Sequence, residues 1–300
     1  MFKRFENNPL LYPTPERLEE KDSVFNPTAL VKDNKIYIFY RALGLGKSTI
    51  CLAISEDGRD LKRYENNPIL IPTSWEESKG VEDPRVVRFE GKYWMTFTAY
   101  DGKTTRIGIA FSDDLIEWEK LRLVLPGYKA GLLIPWKVNG LYCMLCMESE
   151  KPWGKTFTYL ATSEDLIEWK IERIYLKPRS KKFDGWLVET GPAPVSLGNG
   201  KYLLIYNSSN HPLKKIYAPG WLIINKDLNI LARSEKPLLY PKEWYECYGL
   251  VNWVIFAPGL VEFKDELILY YGAADKFICG ASCKKEEFER FINEKLETLR

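Results

Sequence analysis

The chain is poor in histidine, in long apolar runs and in net charge. A single histidine, His211, stands among 300 residues. That excludes a His-rich zinc site and any histidine-based triad not built on that residue. Apolar runs such as Leu132-Leu133-Ile134-Pro135-Trp136 are far too short to span a bilayer. The opening residues, Met1-Phe2-Lys3-Arg4-Phe5-Glu6, lack the apolar stretch of a secretion signal. Both features point to a cytoplasmic protein without a membrane partner. With 43 basic and 41 acidic residues the net charge is +2, so bulk electrostatics do not favour nucleic acid. Cys143 and Cys146 have metal-site spacing, but they fall in a strand-like run where positions three apart face opposite ways. They and Cys51, Cys247, Cys279 and Cys283 read as small buried residues, and no metal or cofactor is expected.

What the chain has is repetition. Five aromatic or β-branched runs recur: Lys35 to Tyr40, Lys92 to Phe97, Leu141 to Leu145, Lys201 to Tyr206 and Glu266 to Tyr271. Each follows a polar turn, and most are followed by a second strand and a further turn such as Ser55-Glu56-Asp57, Ser112-Asp113-Asp114 or Ser163-Glu164-Asp165. Two copies continue alike, as Asp114-Leu-Ile-Glu-Trp118 and Asp165-Leu-Ile-Glu-Trp169. A period of roughly 50 to 60 residues suits a four-stranded blade, so the chain is expected to be all-β, a five-bladed β-propeller over residues 1–283. Residues 284–300, with Phe288, Ile292 and Leu296 four apart, predict one amphipathic helix packed on its flank. Asn7-Asn8-Pro9-Leu10-Leu11 resembles Asn66-Asn67-Pro68-Ile69-Leu70 and is expected to supply the strand that closes the ring.

Within this pattern Gly80-Val81-Glu82-Asp83-Pro84-Arg85 stands out. Proline disfavours helical geometry in the residue before it, so Asp83 is expected to be extended at a strand start. Asn26 before Pro27, Asp83 before Pro84, Glu189 in Val188-Glu189-Thr190-Gly191-Pro192 and the stretch before Pro258 take corresponding positions on innermost strands. Arg41, Tyr100, Asn207 and Asp275 mark the far ends of the second strands. Converging polar groups with many tryptophans and tyrosines suit a sugar.

Phe25-Asn26-Pro27, Tyr40-Arg41-Ala42, the Gly80 to Arg85 segment, Thr98-Ala99-Tyr100, Thr190 to Pro194, Phe256 to Leu260 and Tyr270 to Asp275 together resemble glycoside hydrolase family 130, the β-mannoside phosphorylases and mannosidases. The resemblance implies that Asp83 is the catalytic acid, delivering its proton through a hydroxyl of the bound mannose. It implies that Asn26, Arg41 and Asp275 hold the nonreducing-end mannose, and that Glu82, Arg85 and Tyr100 line or support the pocket. An acid must hold a proton at working pH, so burial and the fields of Glu82 and Asp275 are expected to raise the Asp83 pKa.

Family phosphorylases carry cations where this chain has Leu145-Cys146-Met147-Glu148 and Trp186-Leu187-Val188-Glu189-Thr190, and a histidine where it has Tyr206-Asn207. A phosphate dianion beside Glu189 without a cation would be costly. The expectation is therefore an inverting exo-β-mannosidase with water as nucleophile. Glu189 is its first choice of general base, Glu246 the second and Glu148 the third. The alternative is a β-mannooligosaccharide phosphorylase releasing mannose 1-phosphate, with inorganic phosphate as co-substrate. A noncatalytic sugar-binding propeller is the third reading. Lys214, Lys215 and the basic cluster at 177–182 fall outside these motifs, His211 could reach the site by a loop shift, and homo-oligomerisation is compatible with the sequence.

Overall fold

Alternating apolar residues bounded by turn residues build strands almost throughout. The computed structural model describes residues 1–150, 154–213 and 215–297. Trp153, Lys214 and the last expected helical residues lie outside them. Five antiparallel meanders follow one another. The first comprises Ser23–Lys32, Lys35–Gly44, Lys47–Ser55 and Lys62–Arg63. The second comprises Gly80–Phe89, Lys92–Tyr100, Thr105–Ser112 and Glu119–Val124, and a parallel bridge from Ser48 to Gly80 joins it to the first. Tyr128–Leu133, Tyr142–Glu148, Thr158–Ser163 and Lys170–Leu176 form the third. In the fourth, Leu187–Thr190 and Val195–Ser196 both pair with Lys201–Ser209, followed by Tyr217–Asn225 and Ile230–Arg233. The fifth, Ile255–Phe263, Glu266–Ala273 and Phe277–Lys284, is completed by Lys3–Arg4 from the other end of the chain. All five expected runs thus fall in second strands.

The closing strand is Lys3–Arg4 rather than residues 7–11, of which Leu11 makes only an isolated bridge to Ile278. The likeness of the two Asn-Asn-Pro segments has a different cause. Asn8 Nδ2 donates to the Gly280 carbonyl and Asn8 Oδ1 accepts from its N–H, both at 2.8 Å. Asn67 brackets Leu52 in the same way, at 2.9 and 2.8 Å. Each side chain satisfies both backbone groups of one residue of a neighbouring strand.

The Ser-x-Asp turns have a common cause too. Asp114 Oδ1 accepts from the N–H groups of Ile116 and Glu117, Ser112 Oγ accepts from Leu115 N–H, and the Trp118 indole donates to the Leu115 carbonyl. Ser163, Asp165, Leu166 and Trp169 repeat every one of these bonds. The turn residue has positive φ in both, +80° at Leu115 and +66° at Leu166.

The core lies between meanders. Phe39, Ile50 and Leu52 pack on Val86 and Met95; Ile107 and Ile109 on Leu132 and Met144; Leu203 and Ile205 on Leu267 and Leu269. Ile36, Ile38 and Tyr40 of the first meander pack on Val261, Ile268 and Tyr270 of the fifth, so the last meander rests on the first. Each fully buried aliphatic side chain contributes about 1.5–3 kcal/mol. The helix Lys285–Glu297 buries Phe288 and Ile292 beside Phe2 and Trp221. All six cysteines are buried and free.

Candidate active site

The first strands of four meanders carry the same defect. Register shifts by one residue between Phe25 and Thr28, Glu82 and Arg85, Lys129 and Leu132, and Phe256 and Gly259. Two residues thus oppose one, a β-bulge that bends the strand and re-aims side chains. Asn26, Asp83 and Ala130, each the first bulged residue, have φ of +49°, +53° and +52°. Asp83 is therefore not extended, as the following proline had suggested. The bulge requires positive φ, which Asn and Asp tolerate better than other side-chain-bearing residues. In the fourth meander the chain breaks instead between Thr190 and Val195.

These strands converge on a cavity of about 240 Å³ lined by Asn26, Arg41, Asp83, Glu189 and Asp275, all expected, and by Phe25, Lys129, Glu150, Lys215, Tyr217, Val251, Val254 and Phe256, which were not. Asp83 Oδ1 accepts from Asn26 Nδ2 at 2.8 Å and from Arg41 Nη1 at 3.4 Å. Arg41 also donates to Glu82 at 2.7 Å and to Ser48 Oγ at 2.9 Å, so Glu82 orients the arginine from behind the pocket. Arg85, 1 % exposed, donates to the carbonyls of Asp83 and Thr190 at 2.7 and 3.1 Å, and its guanidinium stands 3.7 Å from Glu189. It ties the Asp83 and Glu189 strands together beneath the site.

Charge is unevenly held. Burial would raise the Asp83 pKa, but Arg41, Arg85 and the Asn26 amide hold it below the ordinary carboxylate value, against expectation. Burial lifts Glu189 to about 7, opposed by Lys129 and Arg85. Asp275 also rises to about 7, through burial opposed by Arg41 and reinforced by Asp83. Burial disfavours the Lys129 ammonium, yet Glu189, Glu150 and Asp83 raise its pKa. Glu150 accepts from Lys129 at 3.4 Å and from Lys215, and both keep it ionised despite burial. The resting pocket thus has Asp83 charged and two carboxyl groups that titrate near neutrality.

Other expected residues lie elsewhere. Glu246, second choice of base, is wholly buried in the short helix Trp244–Cys247. It accepts from Arg4 Nε at 2.7 Å, from Tyr271 Oη at 3.0 Å and from the N–H groups of Lys242 and Glu243, and is a structural anchor for the N-terminal strand. Glu148 sits opposite Tyr128 and bonds the Tyr159 hydroxyl. Asn207 is fully buried outside the lining, where Nδ2 donates to the Thr190 carbonyl at 3.2 Å and Oδ1 accepts from Ala257 N–H at 2.7 Å. Tyr100 pairs with Gly80 at the strand end, outside the lining. His211 is exposed and accepts from Leu213 N–H; Arg179 and Lys182 bind Asp184 and Glu235.

The premise of missing cations therefore fails. Lys129 was hidden because the third bulge, Ala130-Gly131, lacks the proline that marks the others. Its signal is its register, one residue before the bulge, where Glu82 stands in the second meander. Lys215 and Glu150 come from connections between second and third strands, whose course sequence spacing does not reveal. Chemically, the pocket joins a carboxylate fixed by an arginine and an amide to two ammonium groups able to hold an anion.

The family model of glycoside hydrolase family 130, described as beta-1,4-mannooligosaccharide phosphorylase, matches residues 2–294. A β-1,2-mannobiose phosphorylase of Thermoanaerobacter sp. (strain X514) is 34 % identical over 305 residues, covering 95 % of this chain and 97 % of its own. The solved β-1,2-mannobiose phosphorylase of Listeria innocua, in complex with β-1,2-mannobiose, superposes with a TM-score of 0.86 over 99 % of both chains at 23 % identity, a likeness of fold. A structure from work showing that this family of mannoside phosphorylases contains glycoside hydrolases targeting β-1,2 mannosidic linkages in Candida mannan aligns at TM-score 0.83 and 28 % identity, over 95 % of this chain and 94 % of that one. With a family model matched over nearly its whole length and a relative covered almost end to end, this chain belongs to glycoside hydrolase family 130.

Proposed function

We propose that the protein is an inverting phosphorylase of short β-mannosides, a five-bladed β-propeller enzyme that takes the nonreducing-end mannose as mannose 1-phosphate. The observation that carries this reading is the placement of Lys129 and Lys215 in the same cavity as Asp83. It supports phosphate over water, the first expectation. Phosphate is already a nucleophile, so it needs cations to hold it rather than a base. Glu189 and Asp275, with pKa values near 7, take up protons and lower the negative charge that the anion meets.

In the proposed step a phosphate oxygen bonds to the anomeric carbon from the face opposite the leaving sugar. The glycosidic C–O bond breaks, and its oxygen receives the Asp83 proton through a mannose hydroxyl. Because Asp83 rests ionised, the arriving dianion is what raises its pKa and loads it with the proton. Asn26, Arg41 and Asp275 hold the mannose, with inorganic phosphate as co-substrate and no cofactor. Free thiols at all six cysteines suit the reducing cytoplasm.

Incubation with β-1,2- and β-1,4-mannobiose, with and without phosphate, tests the reading. Phosphate-dependent mannose 1-phosphate is expected, and free mannose at equal rates in both arms would overturn it. That second outcome is the hydrolytic reading, favoured by one observation: Glu189, with a pKa near 7, is suited to act as a base toward water.

A further inference from the structure

Lys129 and Lys215 reach the cavity from different meanders, and one carboxylate joins them there. Lys129 stands in the first strand of the third meander, Tyr128–Leu133. Lys215 lies two residues before Tyr217–Asn225 of the fourth, and Glu150 two residues after Tyr142–Glu148 of the third. Glu150 Oε1 accepts from Lys129 Nζ at 3.4 Å, and its Oε2 accepts from Lys215 Nζ. All three residues line the cavity. The carboxylate thus spans two ammonium groups with one oxygen on each, as two oxygens of a bound phosphate would.

The other carboxyl groups of the site are held differently. Glu82 bonds Arg41 from outside the lining, so it orients that cation without standing where a ligand would. Asp83 is fixed by Asn26 and Arg41, away from the two lysines. Glu189 and Asp275, titrating near 7, can meet an anion by taking up protons. Glu150 has no such recourse, because Lys129 and Lys215 hold its pKa below the ordinary carboxylate value. A dianion arriving between those lysines therefore meets a full like charge. Yet the Glu150 side chain is 33 % exposed, so it can turn into water rather than be left buried and unpaired.

We propose that Glu150 is an exchangeable counter-ion, which holds Lys129 and Lys215 before phosphate binds, yields them to it, and returns to help release the phosphorylated sugar. The exchange makes and breaks hydrogen bonds only, and its role in turnover rests on the phosphorylase reading of the pocket. The experiment compares wild type, Glu150→Gln and Glu150→Ala. Inorganic phosphate is titrated into each by calorimetry without sugar. Initial rates on β-mannobiose are measured across a phosphate series, together with inhibition by mannose 1-phosphate. Both variants should bind phosphate roughly threefold to tenfold more tightly, as for removal of one partly exposed like charge. The phosphate KM and the inhibition constant of mannose 1-phosphate should fall by similar factors, with the mannobiose KM moving far less. Weaker phosphate binding in both variants would mean that Glu150 merely positions the lysines, and the proposal falls. Unchanged phosphate affinity in both overturns it too, while phosphate-dependent turnover leaves the parent reading intact. If free mannose forms at equal rates with and without phosphate, the phosphorylase reading fails, yet tighter phosphate binding by the variants in the calorimeter still supports the exchange.

Discussion

Asp83 gathers two bonds on one oxygen, and both favour its ionised form. Asp83→Asn should therefore lower turnover by about 10²- to 10⁴-fold, the usual worth of a positioned acid, while calorimetry still registers mannobiose. Lys129 and Lys215 divide the two nucleophiles sharply. Lys215→Ala should raise the phosphate KM by about tenfold or more, the loss of one charge-assisted contact, with a much smaller effect on the mannobiose KM; initial rates across a phosphate series measure both. A rate independent of phosphate and of Lys215 would instead mark a hydrolase. At this scale part of the cavity lining was legible, because Asn26, Asp83 and Glu189 sit at recognisable Asn-Pro, Asp-Pro and Glu-Thr-Gly-Pro signals. Lys129 was not, since a lysine in a strand without proline looks like any solvated lysine until the bulge is seen.

At the level of elements, the bulge is the device that matters. It turns a strand whose side chains would alternate across a sheet into one that presents neighbouring residues to the cavity. Prolines at 27, 84 and 258 announce three of the bulges, while Ala130-Gly131 forms the same bend with a small residue and a glycine. Asn207 fastens two neighbouring first strands, bonding Thr190 in one and Ala257 in the next. Asn207→Ala leaves a buried N–H unpaired, a loss of about 1–3 kcal/mol, which a urea midpoint should report. Because it also loosens the Glu189 strand, KM for mannobiose should rise in parallel. Glu246 shows the converse lesson. A buried glutamate near aromatic residues reads in sequence as a catalytic candidate, yet its four partners are a guanidinium, a phenol and two helix-cap amides. Arg4→Met should destabilise by about 3 kcal/mol, the range for breaking a buried pair, with KM unchanged.

For the whole molecule, the two raised carboxyl groups link stability to pH. Glu189 and Asp275 keep their protons to about 7 when folded, whereas in the unfolded chain they lose them near 4. Between these values the native state binds more protons, so stability falls as pH rises from about 4 to 7 and then levels from this source. Denaturant titrations at pH 5 and 7.5 should show the difference, and Glu189→Gln should shrink it. Much of the strand and turn plan could be read from repetition, because three of the five units reuse the same Ser-x-Asp chemistry and all five share an aromatic or β-branched second strand. Which segment closes it could not, because two residues, Lys3–Arg4, carry too little pattern. That short strand also ties the two ends of the fold together. Lys3 and Arg4 pair with Ser282 and Ala281, so this sheet is complete only when segments almost 280 positions apart have met. Loss of that strand leaves Glu246 buried without its cation and a sheet edge open. Closure thereby makes two distant segments interdependent: residues 3–4 and 281–282 are seated together or not at all.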